Sequence, residues 1–495
     1  MFRKLMVVII CGICMVFSLP AGVVCAASDG AAEEIVSDKM VEQLFNGKKS
    51  AFGNVTAPAD FDWRQCEGVT LDFILENNIN ANILSKVCSK FTEITGINIR
   101  IKSVDFTTMI EQINMEFISQ VGQIELIYVD PYQTLVRFKD CLEDLNIYEQ
   151  NPDLPHIVGG LESFMKEQVE ICSYFEDEEK LCAIPFDSTT MIMYYRKDIF
   201  EKYGEQMKEE LGYLPMPGTT SFTWERYIEV ARWISENVSE IEYSCVSMSA
   251  NHNSVYVEFS NILDAYGGTY FKDEGVNTLG IACAAEIYTE DNSFLKALEV
   301  YRELVMLGDG AELSLNWQES AELFKEGRVA MMVNWDENAP MMENKSDSEV
   351  AGITGYATLP YGSAKSANIY GGSGVGINKF VSEEKKLAAW MFIVWCTSPQ
   401  VQIQTFLEEG GGNMPTRTNL LHLITGQYMT QLPQAPAVIN AQKKNYTYYR
   451  PKMRCGYEFE RMIQDNLEEL VTGAAPEQVR DAITDDWIKL LAGED

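Results

Sequence analysis

Hydrophobic and polar positions between residues 69 and 129 follow two different periods. Residues 69–75, 97–101 and 125–129 are short apolar runs rich in β-branched and aromatic residues, which predicts three strands. The segments between them, about 81–95 and 105–120, carry apolar residues three and four positions apart, which predicts helices. This β-α-β-α-β order implies parallel strands joined by right-handed crossovers. Ligands in such sheets bind beyond the carboxyl ends of the strands.

A second set of elements follows further along the chain. The same patterns predict strands over 191–195 and 329–333 and helices over 198–204, 224–237, 255–266, 294–307 and 319–326. The run 387–395 is apolar on every side, so a helix there is expected to be buried. With 495 residues the chain is about three times the length of a usual domain. We therefore expect an α/β protein with two or more domains.

The N-terminus has the order of a secretory signal. Arg3 and Lys4 are followed by an apolar stretch over 5–19 and by small residues at 25–27. We expect residues 1–26 to be a signal peptide and the acidic residues 27–65 to be a linker. The apolar stretch is shorter than the roughly twenty residues that cross a membrane. An uncleaved anchor and a lipid on Cys25 stay open as alternatives, so the mature protein is expected outside the cytoplasmic membrane, secreted or lipid-anchored.

The net charge of −34 excludes several classes of partner. Binding to nucleic acid needs clustered cations, and anionic lipid repels an acidic surface for the same reason. With three histidines far apart in sequence, neither a metal site nor a cofactor is predicted. Cys172 and Cys182 flank an acidic turn, where they would either form a disulfide or be small buried apolar residues.

Short segments along the chain occur in an order and spacing that match one protein family. They are residues 91–97, 183–186, 195–198, 223–225, 324–331, 359–360, 371–377, 389–390, 398–399 and 415–417. With these motifs the chain resembles the extracellular solute-binding proteins of bacterial ABC importers, in particular the sugar-binding, maltose-binding-like group. Arg196 stands where that family usually has asparagine. The resemblance spans roughly residues 66–490.

The resemblance implies a two-lobe periplasmic-binding-protein-like fold of type II, with the ligand cleft between the lobes. Lobe 1 would comprise residues 66–184 plus 355–408, and lobe 2 residues 186–352 plus 412–495. The first crossing between lobes would fall near residues 184–186, and the lobes would close on the ligand by a hinge motion.

Polar and aromatic residues at predicted strand ends and loops are the candidate ligand contacts. Paired polar groups suit sugar hydroxyls, and flat rings suit the apolar C–H faces of a sugar. The candidates are Glu76, Asn77, Asp130, Tyr132, Asp187, Asn334, Trp335, Asp336, Tyr370, Gly372, Ser373 and Arg417. Trp335, directly after a buried strand, is the expected stacking platform. Ordinary packing of Trp335, and local capping or turn roles for Glu76, Asn77, Asp130 and Asp187, are the competing interpretations.

The function expected from this resemblance is capture of a sugar or oligosaccharide and its delivery to the membrane permease subunits of an ABC transporter. The chain would act as a monomer and would leave its ligand chemically intact. A receptor of the same fold for a peptide, polyamine or metal complex is the first alternative. A secreted glycoside hydrolase is the second, because the sequence does not exclude a catalytic pair among its 73 carboxylates.

Overall fold

The computed structural model describes residues 57–249, 252–272, 278–283, 285–307, 314–408, 411, 414–423 and 432–493. The predicted signal peptide and most of the predicted linker lie outside these residues. Within the described part of the chain, no helix is both long and apolar enough to cross a membrane.

The first sheet has five strands in the order β2-β1-β3-β10-β4. These strands are β1 (Thr70–Glu76), β2 (Asn98–Val104), β3 (Leu126–Val129), β4 (Ile184–Pro185) and β10 (Gly374–Ile377). β1 pairs in parallel with both β2 and β3, as the alternating pattern predicts. β10 runs antiparallel between β3 and β4. The carboxyl ends of β1 and β3 therefore lie at one edge of this sheet.

The second sheet has four strands in the order β6-β7-β5-β8. These strands are β5 (Met191–Arg196), β6 (Tyr243–Cys245), β7 (Val329–Trp335) and β8 (Thr354–Ala357). Every residue of β7 is buried, because β5 and β6 pair with it on either side. A separate parallel pair joins β9 (Asn368–Ile369) to β11 (Thr447–Tyr448).

Helices surround the sheets. Those of six residues or more are α1 (Ile79–Thr95), α2 (Phe106–Ser119), α3 (Lys166–Ser173), α4 (Lys197–Leu211), α5 (Trp224–Asn237), α6 (His252–Ala265), α7 (Asn292–Leu307), α8 (Trp317–Lys325), α9 (Glu383–Cys396), α10 (Pro399–Leu407), α11 (Thr418–Leu423), α12 (Ala435–Ala441), α13 (Gly456–Thr472) and α14 (Pro476–Ala492). A short π-helix, Pro131–Leu135, follows β3 directly. The predicted all-apolar helix is confirmed as α9, which is buried over most of its length.

Apolar side chains form separate cores on the two sheets. One core combines residues of 66–184 with residues of 375–401, around the first sheet. The largest core draws on residues 191–369 and 448–487, around the second sheet. β8, which the predicted division assigned to lobe 1, pairs with β5 of the second sheet. β10, from the same predicted segment, lies in the first sheet.

Cys172 and Cys182 are both completely buried, and neither forms a disulfide. Their thiols donate to different carbonyl oxygens, those of Gly372 and Lys180. The structure therefore agrees with the second interpretation of this pair, in which both are small buried apolar residues.

Candidate ligand-binding site

A small cavity of about 30 Å³ lies where the strand ends of the two sheets face each other. The first sheet contributes the ends of β1 and β3, and the second sheet contributes the end of β7. Its lining residues are Glu76, Phe106, Tyr128, Asp130, Thr189, Asn253, Trp317, Trp335, Glu337, Gly371, Ser373 and Arg450. A wider open groove beside it, lined by Asn77, Gln318 and Glu337 among others, leads out to solvent.

Aromatic rings form the walls of this cavity. The rings of Trp317 and Trp335 are 6.5 Å apart between centroids and almost perpendicular, at 83°. Phe106 meets Trp317 edge-on at 5.5 Å. Trp335 is the last residue of β7, so the buried strand fixes its backbone. A Cβ at Gly371 would come within 2.6 Å of the Trp335 ring, so glycine is the residue that lets this segment approach it.

Among the described residues, two hydrogen bonds connect the first sheet to α8 across the cleft. Trp317 Nε1 donates to Glu76 Oε1 at 3.1 Å, and Gln318 Nε2 donates to the carbonyl oxygen of Asn77 at 3.0 Å. Both donors lie in the first turn of α8. A capping box fixes that turn, because Asn316 Oδ1 accepts from the backbone N–H of Glu319 while the Glu319 carboxylate accepts from that of Asn316.

Buried carboxyl groups make the cavity rich in hydrogen-bonding oxygen atoms. Burial raises the pKa of Glu76 to about 8; the Trp317 hydrogen bond opposes the rise, and the nearby Asp187 and Asp130 carboxyls add to it. Burial, with the carboxyls of Asp187, Glu76 and Asp336, also raises the pKa of Glu337 well above its usual value. Neutral carboxyl groups both donate and accept hydrogen bonds, so these two side chains can pair with hydroxyl groups in either sense.

Arg450 is the cation among the residues that line the cavity. Its guanidinium lies 4.0 Å from the centre of the Tyr132 ring and 3.9 Å from a carboxylate oxygen of Glu460. Its charge also opposes the rise in the pKa of Asp130 that burial causes. Asp130 Oδ1 accepts from the backbone N–H groups of Tyr132 and Gln133 and so caps the π-helix.

Four of the predicted ligand contacts line the cavity: Glu76, Asp130, Trp335 and Ser373. Asn77 is exposed on the rim of the groove.

Asp187 and Asp336 lie one layer behind the cavity wall. Asp187 Oδ2 accepts from the hydroxyl of Tyr128, a lining residue, at 2.6 Å. Asp336 Oδ1 accepts from the hydroxyl of Thr189, a lining residue, at 3.2 Å and from the backbone N–H of Thr190 at 2.6 Å, and burial raises the pKa of Asp336 to about 7. Both carboxyl groups therefore orient residues that face the cavity.

The structure places the other predicted residues outside the cavity lining. Asn334 holds α8 against β7, since its amide donates to the Trp317 carbonyl and the Ser320 hydroxyl. Gly372 O accepts from the thiol of Cys172, and Tyr370 donates to the Asp187 carbonyl at 3.3 Å.

Tyr132 and Arg417 also lie outside the lining. Tyr132 lies beneath the guanidinium of Arg450. Arg417 is almost completely buried and donates to the carbonyl oxygens of Thr397 and Val158 and to the hydroxyl of Ser163.

Eight lining residues are absent from the sequence prediction: Phe106, Tyr128, Thr189, Asn253, Trp317, Glu337, Gly371 and Arg450. A signal existed for Phe106, which lies two residues after the end of β2 and so close to a strand end. Glu337 lies two residues after Trp335, so the argument from strand ends that selected Trp335 also applies to Glu337. Arg450 gave no signal, because it follows a two-residue strand far along the chain. In the described residues, no group of three histidine, cysteine or carboxylate side chains is arranged to hold a metal ion.

Comparison with known proteins identifies the family. A model of the bacterial extracellular solute-binding protein family matches residues 86–437, well over half of the chain. The chain belongs to this family and is a solute-binding protein.

Individual proteins with named ligands resemble this chain at low sequence identity. A mannitol-binding protein of Pseudomonas aeruginosa is 24% identical over 384 residues, which are 76% of this chain and 79% of that protein. The solute-binding protein of Agrobacterium radiobacter, solved with ribitol, has a TM-score of 0.70 at 20% identity, covering 86% of this chain and 99% of that one. Maltose-bound MalE3 of T. maritima has a TM-score of 0.69 at 21% identity, with 86% and 100% covered. These structures show that the chain has the two-lobe fold of periplasmic binding proteins.

Proposed function

We propose that this protein is the substrate-binding component of an ABC importer and that it captures a small polyol or sugar outside the cytoplasmic membrane. The observation that carries the proposal is the cavity between the two sheets, with tryptophan rings on its walls and carboxyl, amide and hydroxyl groups around them. Rings suit the C–H faces of a polyhydroxylated ligand, and the polar groups suit its hydroxyls. Relatives and structural neighbours that bind mannitol, ribitol and maltose support the same ligand class.

The size of the cavity favours a short ligand over a long oligosaccharide. At about 30 Å³ the cavity is well below the usual range for small-molecule sites, so a ligand has to widen it, and a short ligand has to widen it least. Trp317 and Gln318 bridge the cleft beside it, so an extended chain of sugar units would have to displace those contacts. We therefore expect a polyol or monosaccharide to fit the closed form better than maltotriose.

Calorimetric titration with a panel of neutral ligands tests the proposal. The panel is D-mannitol, ribitol, D-glucitol, D-glucose, maltose and maltotriose. We expect at least one of the first four to bind with a Kd of about 1 μM, equivalent to about 8 kcal/mol, and to raise the melting temperature. Absence of binding across the panel would contradict the ligand class. Recovery of unchanged ligand after incubation, measured by NMR, separates a binding protein from a hydrolase.

The remaining parts of the proposal concern location and partners. The basic and apolar N-terminus supports export, with the mature protein secreted or lipid-anchored and working as a monomer beside the permease subunits. The division into lobe 1 (66–184 plus 355–408) and lobe 2 (186–352 plus 412–495) stays a prediction, and the pairing of β8 with β5 argues for moving residues 354–357 into lobe 2. Light scattering after size-exclusion chromatography tests the monomer, and N-terminal mass analysis of the exported protein tests the cleavage site.

A further inference from the structure

Two half-buried cysteines meet where the loop 278–283 passes the start of α13. The backbone N–H of Cys455 donates to Cys283 Sγ at 3.2 Å, which brings the two cysteines next to each other. Both thiols are free in the structure, and both are partly accessible to solvent. Cys172 and Cys182 differ in this respect, because each is completely buried and donates to a carbonyl oxygen instead.

The surroundings of this pair suit oxidation. The contact between the Cys455 backbone and Cys283 Sγ satisfies the first requirement of a disulfide, which is that the two residues already lie side by side. Partial exposure lets a small oxidant reach them. Because burial raises the pKa of the Cys455 thiol well above its usual value, Cys283 is the thiol that attacks the oxidant first. The family to which the chain belongs is extracellular, and disulfides persist in oxidising compartments outside the cytoplasm.

We propose that Cys283 and Cys455 form a disulfide in the exported protein. The oxidant is a second disulfide, either of a small molecule such as oxidised glutathione or of a thiol oxidoreductase. One cysteine thiolate attacks that disulfide and releases the first thiol, which leaves a mixed disulfide on the protein. The other cysteine thiolate then attacks the protein sulfur and releases the second thiol. Two protein thiols are oxidised, and the two sulfur atoms of the oxidant leave as thiols with the two protons.

The bond would fix the segment that carries Arg450 into the cavity. Ile281 N–H donates to the carbonyl of Lys452 at 2.8 Å, and the carbonyl of Leu279 accepts from the backbone N–H of Glu176 at 2.9 Å. The loop 278–283 therefore already joins residues 450–455 to the turn after α3. A covalent bond at Cys455 would make that junction permanent and would restrict the unfolded chain over a long loop.

Peptide mapping of the full-length exported protein tests this inference. The folded protein is incubated in a buffer of oxidised and reduced glutathione, blocked with N-ethylmaleimide and digested with trypsin. We expect a linked pair of peptides, residues 273–296 with residues 455–461, each of which contains a single cysteine. The oxidised protein should also melt about 2 °C or more above the protein treated with dithiothreitol.

Three variants make the result specific. Cys283→Ser and Cys455→Ser should each abolish the linked peptides and the gain in melting temperature. Cys141→Ser, which removes another half-buried thiol, should preserve both. Complete alkylation of Cys283 and Cys455 after oxidation, glutathione adducts without the linked pair, or a link from either cysteine to a third one would each overturn the inference. None of these outcomes depends on which ligand the cavity binds.

Discussion

Trp317 serves the cavity in two ways that can be separated by mutation. Its ring forms part of the wall, and its Nε1 donates to Glu76 across the cleft. Trp317→Phe retains an aromatic ring but removes the donor, which leaves a buried carboxyl oxygen without this partner. We expect affinity for the best ligand of the panel to fall about tenfold, since a buried hydrogen bond contributes about 1–1.5 kcal/mol. Calorimetric titration measures the change.

Trp224→Phe is the matched control for this variant. Trp224 is completely buried in the core around the second sheet and is not among the residues that line the cavity. Its substitution should lower the melting temperature and leave the Kd unchanged. Equal effects of the two substitutions on affinity would contradict the role assigned to Trp317.

Glu258 predicts a dependence of stability on pH that is independent of the cavity. It is almost completely buried in α6, where burial raises its pKa to about 8 although it accepts from the backbone N–H of Met248. A carboxyl group whose pKa is higher in the folded state stabilises the protein fully below its unfolded pKa of 4.5. That contribution is lost as the pH rises towards 8, by at most about 1.4 kcal/mol per pH unit.

We therefore expect the melting temperature to fall between pH 5 and pH 8, and to fall less steeply in Glu258→Gln. Glutamine has nearly the same shape, still accepts from Met248 and does not ionise. Glu299→Gln, on the exposed face of α7, should follow the wild-type curve. Identical slopes for Glu258→Gln and wild type would show that Glu258 stays ionised in the folded protein.

The sequence predicts individual site residues where a strand ends and a loop begins. Glu76 and Trp335 line the cavity because each is the last residue of a central strand, and strand ends can be read from periodicity. Arg450 reaches the cavity from a segment with no such pattern. Arg417 shows the opposite failure, because a family-like motif placed it near the ligand whereas its side chain binds carbonyl oxygens of the core. These partners lie in the predicted lobe 1 although residue 417 was assigned to lobe 2, and local sequence does not indicate such burial of a charged residue.

At the scale of elements, the N-terminus of α8 determines how the cleft is bridged. The pattern of apolar residues predicted this helix over 319–326, whereas it begins at Trp317. The two-residue difference matters, because it brings Trp317 and Gln318 into the first turn, next to the first sheet. The capping box of Asn316 and Glu319 fixes that start, and a capping signal is easier to miss than an apolar stripe.

Asn316→Ala tests whether this cap supports the site. Loss of an N-cap side chain typically costs about 1 kcal/mol, and the fraying is confined to the first turn of the helix. We expect a lower melting temperature together with a weaker Kd, because Trp317 and Gln318 both lie in that turn. Thr223→Ala removes the N-cap of α5, whose side chain accepts from the backbone N–H of Arg226. Thr223→Ala should lower the melting temperature without changing the Kd. If the Kd also stayed constant in Asn316→Ala, the cap of α8 would have no role in binding.

Strand pairing is the level at which local patterns stop being informative. The parallel arrangement of β1, β2 and β3 follows from the alternation of strands and helices. The positions of β8 and β10 do not, because they depend on contacts with strands more than a hundred residues earlier. A segment of four residues carries too few side chains to specify which sheet it joins. The packing of the whole lobe therefore determines the sheet to which it pairs.

At the scale of the whole molecule, the contacts at the mouth of the cleft are few enough to part, whereas Lys452 and Arg454 join the predicted lobe 2 to Ile171 and Glu176 of lobe 1 elsewhere. Across the mouth of the cleft, the described residues supply the Trp317–Glu76 and Gln318–Asn77 hydrogen bonds and the edge contact of Phe106 with Trp317. The core of each sheet, by contrast, is extensive. Each lobe should therefore move as a rigid body, and a ligand that contacts both strand edges should shift the population towards the closed form.

Small-angle X-ray scattering tests this motion. We expect the radius of gyration to fall when saturating ligand is added, and the double variant Trp317→Phe/Gln318→Ala to have a larger radius than wild type before ligand is added. The same variant should still contract on binding, because the lining residues on both sheet edges remain. The contraction should need a higher ligand concentration, because the closed form of the variant is less stable. A sugar that does not raise the melting temperature is the control and should leave the radius unchanged. A radius that is identical with and without bound ligand, in wild type and variant alike, would mean that the two lobes form one rigid unit and that ligand enters through the open groove without closure.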